Sequence, residues 1–336
     1  MPEIIEKFSL RYRDCGISLW LNCIMETDIM SKKILLAYPR GFCAGVRRAL
    51  DTVDKVLSIS GSPVYVFHEI VHNDYIVKTL RERGVIFVES IEAVPSGATL
   101  IFSAHGVSRQ LEETAAANGI KVIDATCPLV RRIHRKAGGF QAKGRMIILI
   151  GHKGHPEIIG TLGQIESGAF VVETVADVAA LPEPEKGCRA AYLTQTTLSL
   201  DETREIVEAL ERRFPGIEGG GDICYATQNR QNAIKALCPE CDLILIIGSK
   251  NSSNSNRLRE LAERCGCRAV LIDGAADLQS FDFTGIGNIG ISAGASAPEC
   301  LVAEVTDFLH TKGWSAPEEI RFTEENVKFP LPDVNI

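Results

Sequence analysis

Ile34-Leu35-Leu36-Ala37-Tyr38-Pro39-Arg40-Gly41-Phe42-Cys43-Ala44-Gly45-Val46 is an apolar run, a turn, a cysteine and the start of a helical pattern. The same address recurs at Asp124-Ala125-Thr126-Cys127-Pro128 and at Asp222-Ile223-Cys224-Tyr225-Ala226. In the second copy, proline falls at a position that starts helices well. Counting on 29, 28 and 28 residues from the three cysteines reaches His72, His155 and Ser252. Counting on 62, 69 and 72 residues reaches His105, Thr196 and Ser296. Each of the six closes an apolar run. A period of about 90 residues is too long for a solenoid unit and reads as three related domains. One soft ligand and two polar strand ends per domain suggest a shared centre: three thiolates around a metal cluster, ringed by hydrogen-bonding groups.

Outward from these points, short apolar runs alternate with helix-patterned segments nearly throughout. That argues an α/β fold with parallel sheets. The cysteines then stand where strand passes to helix, the edge at which α/β sheets bind ligands. Helix N-termini there favour thiolates and a negatively charged cluster. The expected division is an extension over 1–29, α/β domains over 30–127, 128–223 and 224–310, and a tail over 311–336. In that division Ile34–Ala37 opens the first domain. The tail, with Pro317, Pro330 and Pro332, has no helical period and is expected to lie over a domain surface. Pro182–Gly187 and Pro215–Gly221 read as loops.

The chain has 336 residues, 45% hydrophobic and 24% charged, with a net charge of −7. That charge opposes non-specific binding to nucleic acid or to an anionic membrane surface. No apolar run approaches the ~18 residues of a membrane span. Ile17–Met25 follows Arg11 and Arg13 but has no small-residue cleavage site, and Glu26 and Asp28 come after it. It reads as part of an extension rather than a signal peptide. Eleven cysteines is an odd number, in a chain long enough to need no disulfide staples. A reducing cytoplasm, with thiols free or metal-bound, is the expected setting.

Three further patterns carry chemistry. Ser249-Lys250-Asn251-Ser252-Ser253-Asn254-Ser255-Asn256 follows a buried strand and opens a helix, far more polar groups than one N-cap requires. It is read as an anion site. Gly154-His155-Pro156-Glu157 puts a glutamate beside the proposed cluster, where partial desolvation would let it hold a proton near neutral pH. Thr196 is placed to position or relay that proton. Cys238 and Cys241 with Cys265 and Cys267 have a spacing that can hold zinc, at the opposite sheet edge. Gly285-Ile286-Gly287-Asn288-Ile289-Gly290 matches a dinucleotide fingerprint but precedes a strand and opens no helix, so it is set aside. His68 and Glu69 read equally well as strand-end surface.

Eight strings in order resemble the IspH/LytB family of 4-hydroxy-3-methylbut-2-enyl diphosphate reductases. They are Gly41-Phe42-Cys43-Ala44-Gly45-Val46, Val71-His72-Asn73, Ser103-Ala104-His105-Gly106, Ala125-Thr126-Cys127-Pro128, Gly154-His155-Pro156-Glu157, Thr194-Gln195-Thr196-Thr197, Ile223-Cys224-Tyr225-Ala226-Thr227 and Ser252-Ser253-Asn254. The likeness runs from Met30 to Lys312. It implies a trefoil of three α/β domains around a [4Fe–4S] cluster. Cys43, Cys127 and Cys224 would hold three irons and leave the fourth open as a Lewis acid. His72, His105, Ser252, Ser253, Asn254 and Ser296 would grip a diphosphate, and His155 would line the same pocket. Glu157, positioned with Thr196, would deliver protons. The implied reaction is reductive dehydroxylation of an allylic diphosphate to isopentenyl and dimethylallyl diphosphate. Its electrons would come from ferredoxin or flavodoxin with its reductase. Two other readings stay open on the residues: an open-iron hydro-lyase, which needs no reductant, and a cluster carrier, which has no use for Glu157.

Overall fold

The computed structural model describes residues 32–184 and 189–334. The extension expected over 1–29 and the end of the loop expected at 182–187 lie outside them. The apolar runs form parallel strands gathered into three sheets. The first sheet holds β2 (Val64–Phe67), β3 (Val85–Val88), β4 (Thr99–Phe102) and β5 (Lys121–Asp124), in the order β3-β2-β4-β5. The second holds β6 (Met146–Ile150), β7 (Ala169–Val172), β8 (Ala190–Thr194) and β9 (Glu218–Gly219), in the order β7-β6-β8-β9. The third holds β1 (Ile34–Tyr38), β10 (Leu243–Ile247), β11 (Arg268–Ile272), β12 (Ile289–Ala293) and β13 (Glu318–Arg321), in the order β11-β10-β12-β1-β13. Met146–Ile150 and Leu243–Ile247 are buried along their whole length, as strands covered on both faces must be.

The repeat is visible in the strand orders. Each sheet runs second, first, third strand of its unit, and then a fourth. In the third sheet that fourth place belongs to β1, so the start of the described chain closes the sheet that its end builds. The reading of Ile34–Ala37 as the opening strand of the first domain is therefore corrected: β1 pairs with β12 and β13. The tail also differs from expectation, since part of it adds β13 to that sheet beside β1.

Each cysteine lies where the chain leaves one sheet for the next. After β1 comes α1 (Ala44–Ser60), whose Val46, Ala49, Val53 and Val56 pack on the first sheet. After β5 comes α4 (Pro128–Ala142), whose Ile133 and Ala137 pack on the second. After β9 comes α8 (Tyr225–Leu237), whose Ala233, Ile234 and Leu237 pack on the third. Between them lie α2 (Asp74–Glu82), α3 (Arg109–Ala117), α5 (Pro156–Leu162), α6 (Val175–Ala179) and α7 (Leu200–Arg213). After α8 come α9 (Ser253–Arg264) and α10 (Glu299–Thr311). No helix among the described residues is long and apolar enough to cross a membrane.

Candidate active site

The carboxyl ends of β2, β4, β6, β8, β10 and β12 open onto one cavity, with about 710 Å³ of space not filled by protein atoms, its mouth included. That is within the range of small-ligand sites. Cys43, Cys127, Cys224, His72, His105, His155, Glu157, Thr196, Ser252, Ser253, Asn254 and Ser296 all line it. These twelve side chains are thus brought to one place.

The three thiols enter from helix starts. Cys43 and Cys224 are N-caps whose Sγ accepts from the Val46 N–H at 3.5 Å and the Thr227 N–H at 3.4 Å. Cys127 caps α4, which opens on Pro128. Each cysteine N–H is tied to the far wall: Cys43 to the Ala295 carbonyl at 3.1 Å, Cys127 to Ala104 at 3.0 Å, Cys224 to Thr196 at 3.1 Å. These carbonyls belong to, or immediately precede, Ser296, His105 and Thr196. Backbone hydrogen bonds therefore tie the three thiol loops directly to the strand ends. Gly45 is required here, because a Cβ at that position would stand 2.7 Å from the Cys127 sulfur.

Burial works against the helix termini at two of these thiols. Burial first, and then the charge of Cys43, push Cys127 up to about 12 and Cys224 up to about 11. Desolvation outweighs the helix termini at Cys127 and Cys224, and a bound cation would favour their thiolates.

Glu157 sits at the second position of α5 and is 2% exposed. The Thr196 N–H donates to Oε1 and the Thr196 hydroxyl to Oε2, both at 2.7 Å. Burial raises its pKa to about 7 despite those two bonds, with the charge of Asp222 adding to the rise. A glutamate at that value is half protonated near neutral pH, the state a general acid needs.

Three histidine rings pack together above it. His72 and His105 stack with centroids 4.2 Å apart, and His155 meets them edge-on at 5.4 and 5.8 Å. Glu69, left undecided by sequence, orients His72 by accepting from Nδ1 at 3.1 Å, and the Asn251 amide holds Glu69 at 2.9 Å. The His155 Nδ1 accepts from the Glu157 N–H at 3.1 Å, which leaves its Nε2 to carry the proton. Burial, and after it the neighbouring rings, push His155 down to about 3 and His105 well below the usual range. Both are neutral while no anion is near.

At the start of α9 the hydroxyls are arranged to donate. Ser252 Oγ accepts from the Ser255 N–H at 3.3 Å and the Ser255 hydroxyl at 3.0 Å, leaving its own proton free. Ser253 Oγ accepts from the Gln195 amide at 3.2 Å and the Thr197 hydroxyl at 3.1 Å, with the same result. The buried Asn254 amide has no partner on either atom, and neither does His72 Nε2. Facing a cavity, such atoms are free to bond a polar ligand. Two expected members behave differently. Ser296 donates to the His72 carbonyl at 2.8 Å and so steadies that loop. Lys250 is exposed and does not line the cavity. Sequence reasoning passed over Gln195 and Thr197 as functional groups. Their signal was present, since both lie in the Thr194–Thr197 string, but their target, Ser253, is 58 and 56 residues away.

A family model described as "LytB protein" matches residues 34–310. The chain belongs to the LytB family. The 4-hydroxy-3-methylbut-2-enyl diphosphate reductase of Bordetella pertussis is 52% identical over 309 residues, covering 91% of this chain and 95% of that one. The E-1-hydroxy-2-methyl-but-2-enyl-4-diphosphate reductase from Plasmodium falciparum matches in structure with a TM-score of 0.87 at 39% identity, covering 90% of this chain and 96% of that chain. A solved (E)-4-hydroxy-3-methyl-but-2-enyl diphosphate reductase, described as the terminal enzyme of the non-mevalonate pathway, matches with a TM-score of 0.62 at 35% identity, covering 83% and 99%. The LytB match ends at α10, so the segment carrying β13 lies beyond it.

The donor set suits an iron–sulfur cluster. Three soft thiols line a common void that also holds unpartnered polar atoms. Among the described residues no three His, Cys, Asp or Glu side chains are placed to hold a single ion. Thiols that each take a separate iron have no need to converge.

Proposed function

We propose that this chain reduces (E)-4-hydroxy-3-methylbut-2-enyl diphosphate to isopentenyl and dimethylallyl diphosphate, the terminal step of the non-mevalonate pathway. The observation that carries the reading is one cavity holding three helix-cap thiols, the Glu157–Thr196 pair and the unpartnered start of α9. Family membership at 52% identity supports the same reaction. A [4Fe–4S] cluster held by Cys43, Cys127 and Cys224, when bound, would pass on the carrier's electrons and supply the Lewis acidity that breaking a carbon–oxygen bond requires.

The protein's own groups divide the rest of the work. Ser252, Ser253 and Asn254 hold the diphosphate at the positive end of α9. His72, His105 and His155 form the opposite wall, with Ser296 steadying His72. No lysine or arginine lines the cavity among the described residues. The diphosphate charge therefore falls to the helix terminus and the histidines. An anion beside His105 and His155 reverses the burial effect and favours their cations, so the substrate draws protons into the site as it binds. Glu157, held by Thr196, gives a proton to the departing hydroxyl, which leaves as water. The balance is two electrons and two protons consumed and one water released. The second proton lands at one end or the other of the allylic unit, and that choice sets which isomer forms.

The electrons come from a small external carrier, ferredoxin or flavodoxin with its reductase. The test is anaerobically reconstituted protein given the hydroxylated substrate with and without dithionite. Both isomers should appear only with reductant. A hydrated or dehydrated product without reductant would instead identify a hydro-lyase, and a reducible cluster with no turnover would identify a carrier.

A further inference from the structure

Two buried arginines stand behind the cysteines, and both are held by the end of the chain. The Arg230 side chain, in α8, is 1% exposed. Its Nε and Nη2 donate to the Gly41 carbonyl at 3.1 and 2.6 Å, and Nη1 donates to the Ala226 carbonyl at 2.9 Å. Gly41 lies two residues before Cys43, and Ala226 two residues after Cys224. The guanidinium charge is met by Glu325, whose carboxylate accepts from Nη1 at 3.1 and 3.3 Å and from the Asn229 amide at 3.0 Å. Arg48, in α1, repeats the arrangement. Its Nη1 donates at 3.1 Å to the carbonyl of Thr126, the residue before Cys127, and its Nε at 2.8 Å to the carbonyl of Pro330. Glu325 and Val327 also wall a small pocket with Phe42, Ala44 and Tyr225, directly behind Cys43. Val334 packs on the core of the first sheet.

Residues 322–334 contain no helix or strand and lie beyond the family match. They supply what two buried cations need, an acid and a carbonyl, and a buried guanidinium deprived of its acid is strongly unfavourable. Through those cations they reach the backbone beside each of the three cysteines. We propose that Phe322–Val334 is a clasp that fixes the three cysteine loops at the spacing a cluster needs, with Arg230 and Arg48 as positioning residues. The proposal rests on the cluster reading given above.

The test compares three full-fold variants. Glu325→Ala removes the partner of Arg230. A chain ending at Val327 removes the partner of Arg48. Glu324→Ala is the control, since that carboxylate pairs at the surface with Arg321 and Tyr38. Two readouts are used: the rate of iron loss from the loaded protein to a chelator, and the rate at which iodoacetamide labels each cysteine in the cluster-free chain. Glu325→Ala should speed labelling of Cys43 and Cys224 by about fivefold or more, and the shortened chain should do so for Cys127, the scale of a local opening. Iron loss should accelerate in both, and Glu324→Ala should match the parent. Unchanged labelling in both variants would overturn the clasp. So would equal acceleration at the buried Cys238 and Cys267, which would mean general loosening of the fold. A parent chain that takes up no iron would defeat the cluster reading, while the labelling result would still decide the clasp.

Discussion

The described residues gather cysteines in two places, and one gathering lines the active-site cavity. Cys43, Cys127 and Cys224 cap helices at the carboxyl ends of strands. Cys238, Cys241, Cys265 and Cys267 lie at the opposite edge, just before β10 and β11. There the Cys267 thiol donates to the Cys241 carbonyl at 3.2 Å. The Cys241 sulfur is packed so closely on β12 that a Cβ at Gly290 would stand 2.8 Å from it. The zinc spacing seen in the sequence does bring four sulfurs together, yet no three of them are placed to hold an ion. Acidity does not separate the groups, because burial pushes Cys238 up to about 12 just as it does Cys127. What separates them is direction. One set points into shared space beside unpartnered polar atoms and helix N-termini, whereas in the other Cys238, Cys241 and Cys267 pack in apolar core and Cys265 is exposed.

The sharpest way to break this contrast is to remove sulfurs from each side. Replacing Cys43, Cys127 or Cys224 with serine should abolish or badly deplete the cluster's visible absorbance and iron content. Cys265→Ser should retain both in full. Equal loss from Cys265→Ser would erase the distinction between the two groups.

Next in size is the acid beside the first set. Glu157→Gln keeps the shape and loses the transferable proton, so turnover should fall by roughly 10²-fold or more while cluster content and substrate affinity persist. The pH dependence has a definite sign. The pKa of Glu157 is raised from 4.5 to about 7, so its acid form is present below that value and lost as pH rises through it. Turnover driven by a chemical reductant should therefore decline above about pH 7 in the parent, and the glutamine variant should lack that decline. The same shift means that this group's contribution to stability is fully present below 4.5 and is lost as pH rises through about 7.

Smaller effects test the anion end and the packed quartet. Ser252→Ala should weaken binding of a product diphosphate by about 1–3 kcal/mol, the range for a hydrogen bond to a charged group. An unchanged affinity in a calorimetric titration would remove Ser252 from the site. Cys267→Ala should cost about 1 kcal/mol of stability, seen as a slightly lower melting temperature, and leave the cluster untouched. A loss of bound metal in that variant would show that the second group is a site after all.

Much of this was legible locally. A cysteine between an apolar run and a helical pattern is a strand-to-helix address, and the repeated spacing from it finds His72, His155 and Ser252 without any structure. Glu157 was legible as a candidate acid, because it stands next to a strand end beside the proposed cluster. Its partner geometry was not. The two 2.7 Å bonds from Thr196 cross 39 residues of chain, and only the fold says that they form.

The sequence by itself determined the α/β class and marked three thiols at helix starts and six groups at strand ends, because each is encoded within a turn or a strand. Tertiary structure decided the rest. Ile34 pairs with Ile289, and no local pattern announces a partner 255 residues away. Arg48 and Arg230 look like ordinary helix arginines until the tail brings Glu325 and Pro330 to them. The second cysteine group looks like a metal site until packing buries Cys238, Cys241 and Cys267 in the core and leaves Cys265 at the surface. The physical reason is common to all three: hydrogen-bond partners and burial belong to pairs of residues, whereas propensity and periodicity belong to single segments.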